Sequence, residues 1–408
     1  MKFRDGYWSV KKGVTLLNPV EVQDVTIDDG LITVFASCKQ LRHRGDTLNA
    51  PMLTTEISSP LPDIIHVRTY HFRGALDPAP RFVLAEDRHT GSVIEDGKDT
   101  VSFRTSGLSV TVSKKGQWRT EFSFKGRHLT EIASRNSGFV TTADGSSYMS
   151  QHLSLSVGEY IYGLGERFTS FIKNGQVVDI WNEDGGTSSE QAYKNIPFYL
   201  SNMGYGVLVA NPGKVSFEVA SEVVTSVQFS VPGEFIDYYV IAGNTPKDVL
   251  RTYAKLAGLP ALPPAWSFGL WLTTSFTTDY DEATVNQLVD GMAERNIPLH
   301  VFHFDCFWMK EFQWVDFEWD EQRFPDPAAM IARLKDRGLK ISIWINPYIA
   351  QKSRLFDEGS ARGYLVKNRD GSVWQYDRWQ AGMGLVDFTN PEAVCWYQAA
   401  RTNAATSP

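Results

Sequence analysis

Three consecutive residues, Asp305, Cys306 and Phe307, follow the apolar run Val301-Phe302-His303-Phe304 and join a carboxylate, a thiol and an aromatic ring. A carboxylate placed where a strand leaves its core can accept hydrogen bonds from the hydroxyls of a polyol, and the same residue type also caps the loop that follows a strand. Asp305 is open to both readings. Cys306 reads better as pocket lining than as a nucleophile, because no histidine base or helix N-terminus is evident to lower its pKa. His300 and His303 flank the same run. Their spacing of three puts them on opposite faces of an extended strand, so a shared metal is not expected, and no cofactor is called for.

The ends of neighbouring apolar runs carry comparable groups: Thr274-Ser275-Phe276, Trp344-Ile345-Asn346-Pro347 and Asp387. In parallel βα barrels chemistry gathers at the C-terminal ends of the strands. Carboxylates, aromatics and small polar groups converging there suit a sugar pocket. Tryptophan points the same way. Of 12 in the chain, Trp266, Trp271, Trp308, Trp314, Trp319, Trp344, Trp374, Trp379 and Trp396 follow the midpoint; each reads either as core or as a flat apolar face for sugar C–H groups.

The elements that position these residues change period along the chain. Up to about Gly243 short alternating runs are broken by turn signals. Examples are Leu31 to Phe35 after Asp28-Asp29-Gly30, and Leu108, Val110 and Val112 joined through Lys115-Gly116 to Phe122 and Phe124. A large two-sheet sandwich is predicted. A helix opens with Thr245-Pro246, sets Val249, Leu250, Tyr253 and Leu256 on one face, and can end at Gly258. The run Leu259-Pro260-Ala261-Leu262-Pro263-Pro264 cannot continue it. Beyond, strands at Ser267 to Thr273, Leu299 to Asp305 and Leu339 to Ile345 alternate with helices around Val285 to Met292 and from Asp326-Pro327 to Gly338. That order predicts parallel βαβ units. A hairpin around Asn368 to Gly371, a further strand at Gly384 to Phe388 and a helix barely begun at Asn390-Pro391 complete the reading. The predicted domains are a sandwich over 1–258, a hinge over 259–264 and the first part of a (β/α)8 barrel over 265–408.

Composition narrows the function classes. A net charge of −7 without a Lys/Arg block argues against nucleic acid as a partner. No apolar run reaches the roughly 20 residues that cross a bilayer. The N-terminus lacks the layout of a secretory signal and the three cysteines are widely spaced, so a cytoplasmic location is expected.

Several stretches resemble glycoside hydrolase family 31, and specifically its bacterial alpha-xylosidases. They are Tyr162-Gly163-Leu164-Gly165-Glu166-Arg167-Phe168, Trp181-Asn182 through Asp184-Gly185-Gly186-Thr187, Lys194 to Tyr199, Pro263 to Gly269 and His303 to Met309. The resemblance implies a galactose-mutarotase-like β-sandwich before the barrel. It also implies that Asp184 lies on a sandwich loop reaching over the barrel mouth, while Phe276, Asp305, Cys306, Phe307 and Trp344 line the pocket for a terminal xylose. The expected partner is an alpha-xyloside or related oligosaccharide. By the same resemblance the Cys306-Phe307 pair fills the space that alpha-glucosidases keep for a hydroxymethyl group. Such a contact is worth about 1 to 3 kcal/mol and sets a preference, so alpha-glucosidase activity is the close alternative.

Retaining glycosidases need two carboxyl groups, a nucleophile and an acid/base. The family's nucleophile motif, Lys-x-Asp-Phe-Gly-Glu, is expected about one βα unit after Asp387, beyond Pro408, so no catalytic residue is assigned within the chain. A closed barrel takes roughly 250 residues. The expectation is therefore a truncated or frame-shifted chain, inactive alone, with Arg401 to Pro408 open to being out of frame. A non-catalytic carbohydrate-binding remnant is the other alternative, and homo-oligomerisation of the full-length form is left open.

Overall fold

The computed structural model describes residues 1–6, 8–75, 81–85, 91–183, 189–378, 380 and 382–406. They form two compact units, Met1–Pro260 and Ala261–Pro408. No helix among them is long and apolar enough to cross a membrane.

The first unit is antiparallel β structure. Asp29 and Gly30 both take positive φ and join Glu21–Asp28 to Leu31–Ser37, the tight geometry that the Asp-Gly pair favours. Leu108–Ser113 pairs with Arg119–Phe124 so that Val110 faces Phe122, and the alternation buries Leu108, Val110 and Val112. Where two large sheets were expected, the described residues form three, of six, eight and five strands, besides a small two-stranded ribbon. The five-stranded sheet is a meander from Val93–Asp96 to Arg127–Ala133. Its inward residues join the same core as Phe217, Phe229 and Tyr238 of the larger sheets. Strand alternation reports which face is buried and not how many layers share the core.

The helix at the end of this unit, Pro246–Ala257, begins as its sequence dictates. Thr245 accepts from the Asp248 amide, Asp248 returns to the Thr245 amide, and Pro246 occupies the first turn. Val249 and Leu256 are buried and Tyr253 stacks on Phe198 at 4.2 Å. Leu250 is 45% exposed, so the apolar stripe is narrower than predicted.

In the second unit Trp271–Thr273, Val301–Phe304 and Lys340–Ile343 form a parallel three-stranded sheet with the middle segment central. Helices Glu282–Glu294 and Pro327–Asp336 connect them, capped by Asp281 and Asp326. The first predicted strand is shorter than read, because Ala265–Phe268 is a 3-10 turn. Gly269 follows, and a Cβ there would sit 2.3 Å from the His300 ring, so only glycine lets the two strands approach.

Two further readings need correction. The run expected as a further strand at Gly384 to Phe388 is the shorter Met383–Leu385. It pairs antiparallel with Tyr348–Ala350 and with Gln375–Tyr376 in a separate sheet. A buried apolar run does not encode its direction relative to its neighbour, and the chain reverses between Gln375–Tyr376 and Met383–Leu385, where the Gly382 amide donates to the Asp377 carboxylate at 2.7 Å. The final helix, expected to have barely begun, runs Pro391–Thr406 over 16 residues.

Candidate functional site

The candidate site is built on the C-terminal end of the central parallel strand. Val301, Phe302 and Phe304 are buried, and the chain then turns sharply because Asp305 caps a 3-10 turn, Cys306–Trp308. One Asp305 carboxylate oxygen accepts from the Cys306 amide at 2.6 Å. The Asp305 amide donates to Thr274 Oγ1 at 3.0 Å, and its carbonyl accepts from the Tyr280 hydroxyl at 2.7 Å. The backbone of Asp305 is thus held twice by the segment that follows the first strand, and its half-buried carboxylate has lone pairs beyond the one used for capping. Its two sequence readings, cap and hydroxyl acceptor, are compatible in one side chain.

Cys306 is 1% exposed and joins the core cluster with Trp308, so it sits behind the surface rather than on it. Burial, with the adjacent Asp305 carboxylate, pushes its thiol up to about 12. A thiol so hard to ionise is no nucleophile.

Three rings form the adjoining wall. Phe307 meets Trp314 edge-on at 5.8 Å, and Trp314 meets Trp344 at 5.4 Å. Trp344 is aligned by its amide, which donates to the Phe304 carbonyl at 2.8 Å, and by the Trp308 indole, which donates to the Trp344 carbonyl at 2.8 Å. The structure therefore brings Asp305, Cys306, Phe307 and Trp344 together. Phe276, at the end of the first strand, is 54% exposed. Asp184 lies outside the described residues.

Three neighbours were not singled out by sequence as site residues. Trp314 bridges Phe307 and Trp344; as one of many tryptophans it carried no distinguishing signal. Tyr280 anchors the Asp305 carbonyl and lies 25 residues away, with only its burial to mark it. Asp316, 4% exposed, uses one oxygen to accept from the Glu318 amide, while the other is buried with no hydrogen-bond partner among the described residues. Burial raises its carboxyl to about 6.

The remaining candidates separate. His303 bonds Thr273 Oγ1 at 2.7 Å, and burial lowers its pKa, partly offset by Asp305. His300 accepts from the Leu270 amide at 3.2 Å. Among the described residues no group of three His, Cys, Asp or Glu is gathered as a metal site. Asp387 is occupied in a local turn, accepting from the Thr389 amide at 3.0 Å.

A parallel strand ending in a half-buried carboxylate beside packed aromatic rings is the arrangement that α/β barrels place at the C-terminal ends of their strands. Comparison with known proteins agrees. The model of the glycosyl hydrolases family 31 TIM-barrel domain matches residues 260–407, and that of the glycosyl hydrolase 31 N-terminal galactose mutarotase-like domain matches 54–218. The chain belongs to glycosyl hydrolase family 31. It is 48% identical over 399 residues to alpha-xylosidase XylQ of Lactiplantibacillus pentosus, covering 98% of this chain and 52% of that protein. It is 49% identical over 419 residues to an alpha-xylosidase of Emericella nidulans, covering 97% and 53%. The solved family 31 dextranase of Flavobacterium johnsoniae, in complex with glucose, superposes with a TM-score of 0.81 at 22% identity over 96% of this chain and 46% of that one, a likeness of fold. The chain spans about half the length of the curated relatives it matches.

Proposed function

We propose that this chain supplies the substrate-recognising portion of a retaining alpha-xylosidase, acting on terminal alpha-linked xylose of xylosides or xyloglucan oligosaccharides. In this reading Asp305 accepts from sugar hydroxyls and Phe276, Phe307 and Trp344 pack on the ring. Cys306 backs the wall from beneath, and Asp184 contributes from the sandwich. The observation that carries it is the fixed Phe307–Trp314–Trp344 wall beside Asp305, on a chain whose two similar alpha-xylosidases match nearly all of it. A wall in which Trp314 braces both Phe307 and Trp344 yields little to an added hydroxymethyl group, which favours a pentose. The domain layout proposed is a sandwich over 1–258, a hinge over 259–264 and barrel from 265. A cytoplasmic location belongs to the same proposal, supported by the three unpaired cysteines.

The test compares p-nitrophenyl alpha-xyloside with the alpha-glucoside, using a form of the protein extended to the length of its relatives. The xyloside is expected to give the higher kcat/KM, and Phe307→Ala to erode that ratio by about tenfold or more. Equal or better turnover of the glucoside by the unaltered protein would favour the alpha-glucosidase alternative and sink this one.

A further inference from the structure

A second hollow lies wholly within the sandwich unit, about 160 Å³ in volume and open on one side, with Trp181, Val177, Asp179, Lys214, Glu183 and Gln191 in its lining. Trp181 is 52% exposed and Val177 is 49% exposed, so two apolar faces are presented to solvent side by side. The Trp181 indole N–H makes no hydrogen bond among the described residues. Around these faces donors and acceptors alternate. Lys214 Nζ pairs with Asp179 at 2.8 Å, and Gln191 Nε2 donates to Glu183 at 2.6 Å.

The floor is rigid. Arg167 donates to the carbonyls of Leu164 at 3.0 Å, Asp179 at 2.9 Å and Glu190 at 3.0 Å, and to the Asn195 side chain. Asn195 Nδ2 is directed at the carbonyls of Trp181 at 2.9 Å and Ala192 at 2.6 Å. Two side chains therefore tie together the three segments that form the hollow, and they hold the backbone of Trp181 in place.

The chemistry of the lining selects the ligand. A small anion meets the carboxylates of Asp179, Glu183 and Glu190, and a small cation meets Arg167 and Lys214. A hydroxyl, which both donates and accepts, is served by either kind of group, and a pyranose ring adds an apolar face to lie on an indole. We propose that this hollow is a saccharide-binding site carried by the sandwich unit, in which Trp181 stacks on a pyranose unit of an oligosaccharide.

The indole N–H signals of the 408-residue chain report on both sites at once when a xyloglucan heptasaccharide is titrated and followed by 15N–1H NMR. The Trp181 signal is assigned by its loss in Trp181→Phe and the Trp344 signal by its loss in Trp344→Phe. A saturable shift of the Trp181 signal is expected, and it persists in Phe307→Ala. Trp181→Ala should weaken binding at the hollow by about tenfold, as read by the shifts of the Gln191 side-chain amide; a stacked aromatic anchor carries most of such a contact. A Trp181 signal that stays still while the Trp344 signal moves would overturn the hollow and leave the barrel reading intact. Movement of Trp181 alone would support the hollow and count against sugar binding at the barrel residues. If neither signal moves, the hollow is again overturned.

Discussion

The two units place unusual backbone conformations in different kinds of residue. In the sandwich, positive φ falls mostly at turn residues such as Asp29, Asn49 and Asp63, types that tolerate it, with the buried Leu164 a bulky exception. In the barrel unit it falls at Phe312, Val315 and Phe317, bulky side chains flanking Trp314, with Val315 and Phe317 buried. A left-handed β-branched residue costs about 1 to 2 kcal/mol and persists only where surrounding packing over-determines it. Apart from Leu164 the sandwich is locally consistent, whereas the barrel segment gathers three such bulky residues beside its candidate pocket and offsets their strain through ring packing.

The units also differ in how buried ionisable groups respond to pH. His152 in the sandwich is buried, and burial, with smaller contributions from Arg4 and the terminal ammonium, lowers its pKa from 6.5 to about 3. Its unfolded state therefore takes up a proton first, and the stability it contributes is full above pH 6.5 and lost as pH falls toward 3. That linkage is worth about 5 kcal/mol across the window. His152→Leu is expected to flatten the acid limb of a denaturation-versus-pH profile, and an unchanged limb would break the contrast.

Next in size is the aromatic packing of the barrel unit. Trp308 is fully buried, meets Trp319 at 5.0 Å and donates to the Trp344 carbonyl. Trp308→Ala should cost about 4 kcal/mol in denaturant unfolding. It should also remove exchange protection from the Trp344 amide. Retained protection there would show that the wall does not depend on this core.

The third prediction has the opposite pH sign to the first. Asp316 is raised by burial from 3.8 to about 6, so its folded form retains a proton that the unfolded chain has released. Stability associated with it is full below pH 3.8 and lost as pH rises through 6, about 3 kcal/mol in all. Asp316→Asn should remove that slope and leave the variant more stable than the parent at pH 8, measured by urea midpoints.

How much of this was legible beforehand follows the same division. The hairpins, the Thr245 cap and the three parallel strands were readable because alternation, capping types and glycines agree with the final structure. The conjunction of Asp305, Cys306 and Phe307 was readable because they end an apolar run. Trp314 and Asp316 were not. Their segment adopts conformations that its own residues disfavour, so no local signal points to it, and only contacts distant in sequence decide its path. The antiparallel course of Met383–Leu385 was hidden for a related reason: direction is fixed by the chain reversal that precedes the run and not by the run itself.

The left-handed residues around Trp314 carry one more consequence. A segment held against its own torsional preference relaxes as soon as its confinement slackens, whereas the hairpins of the sandwich have no such spring. On gentle heating, ring-current shifts from the Phe307–Trp314–Trp344 stack should therefore fade several degrees before bulk ellipticity does, and a glycine in place of Val315 should narrow that gap.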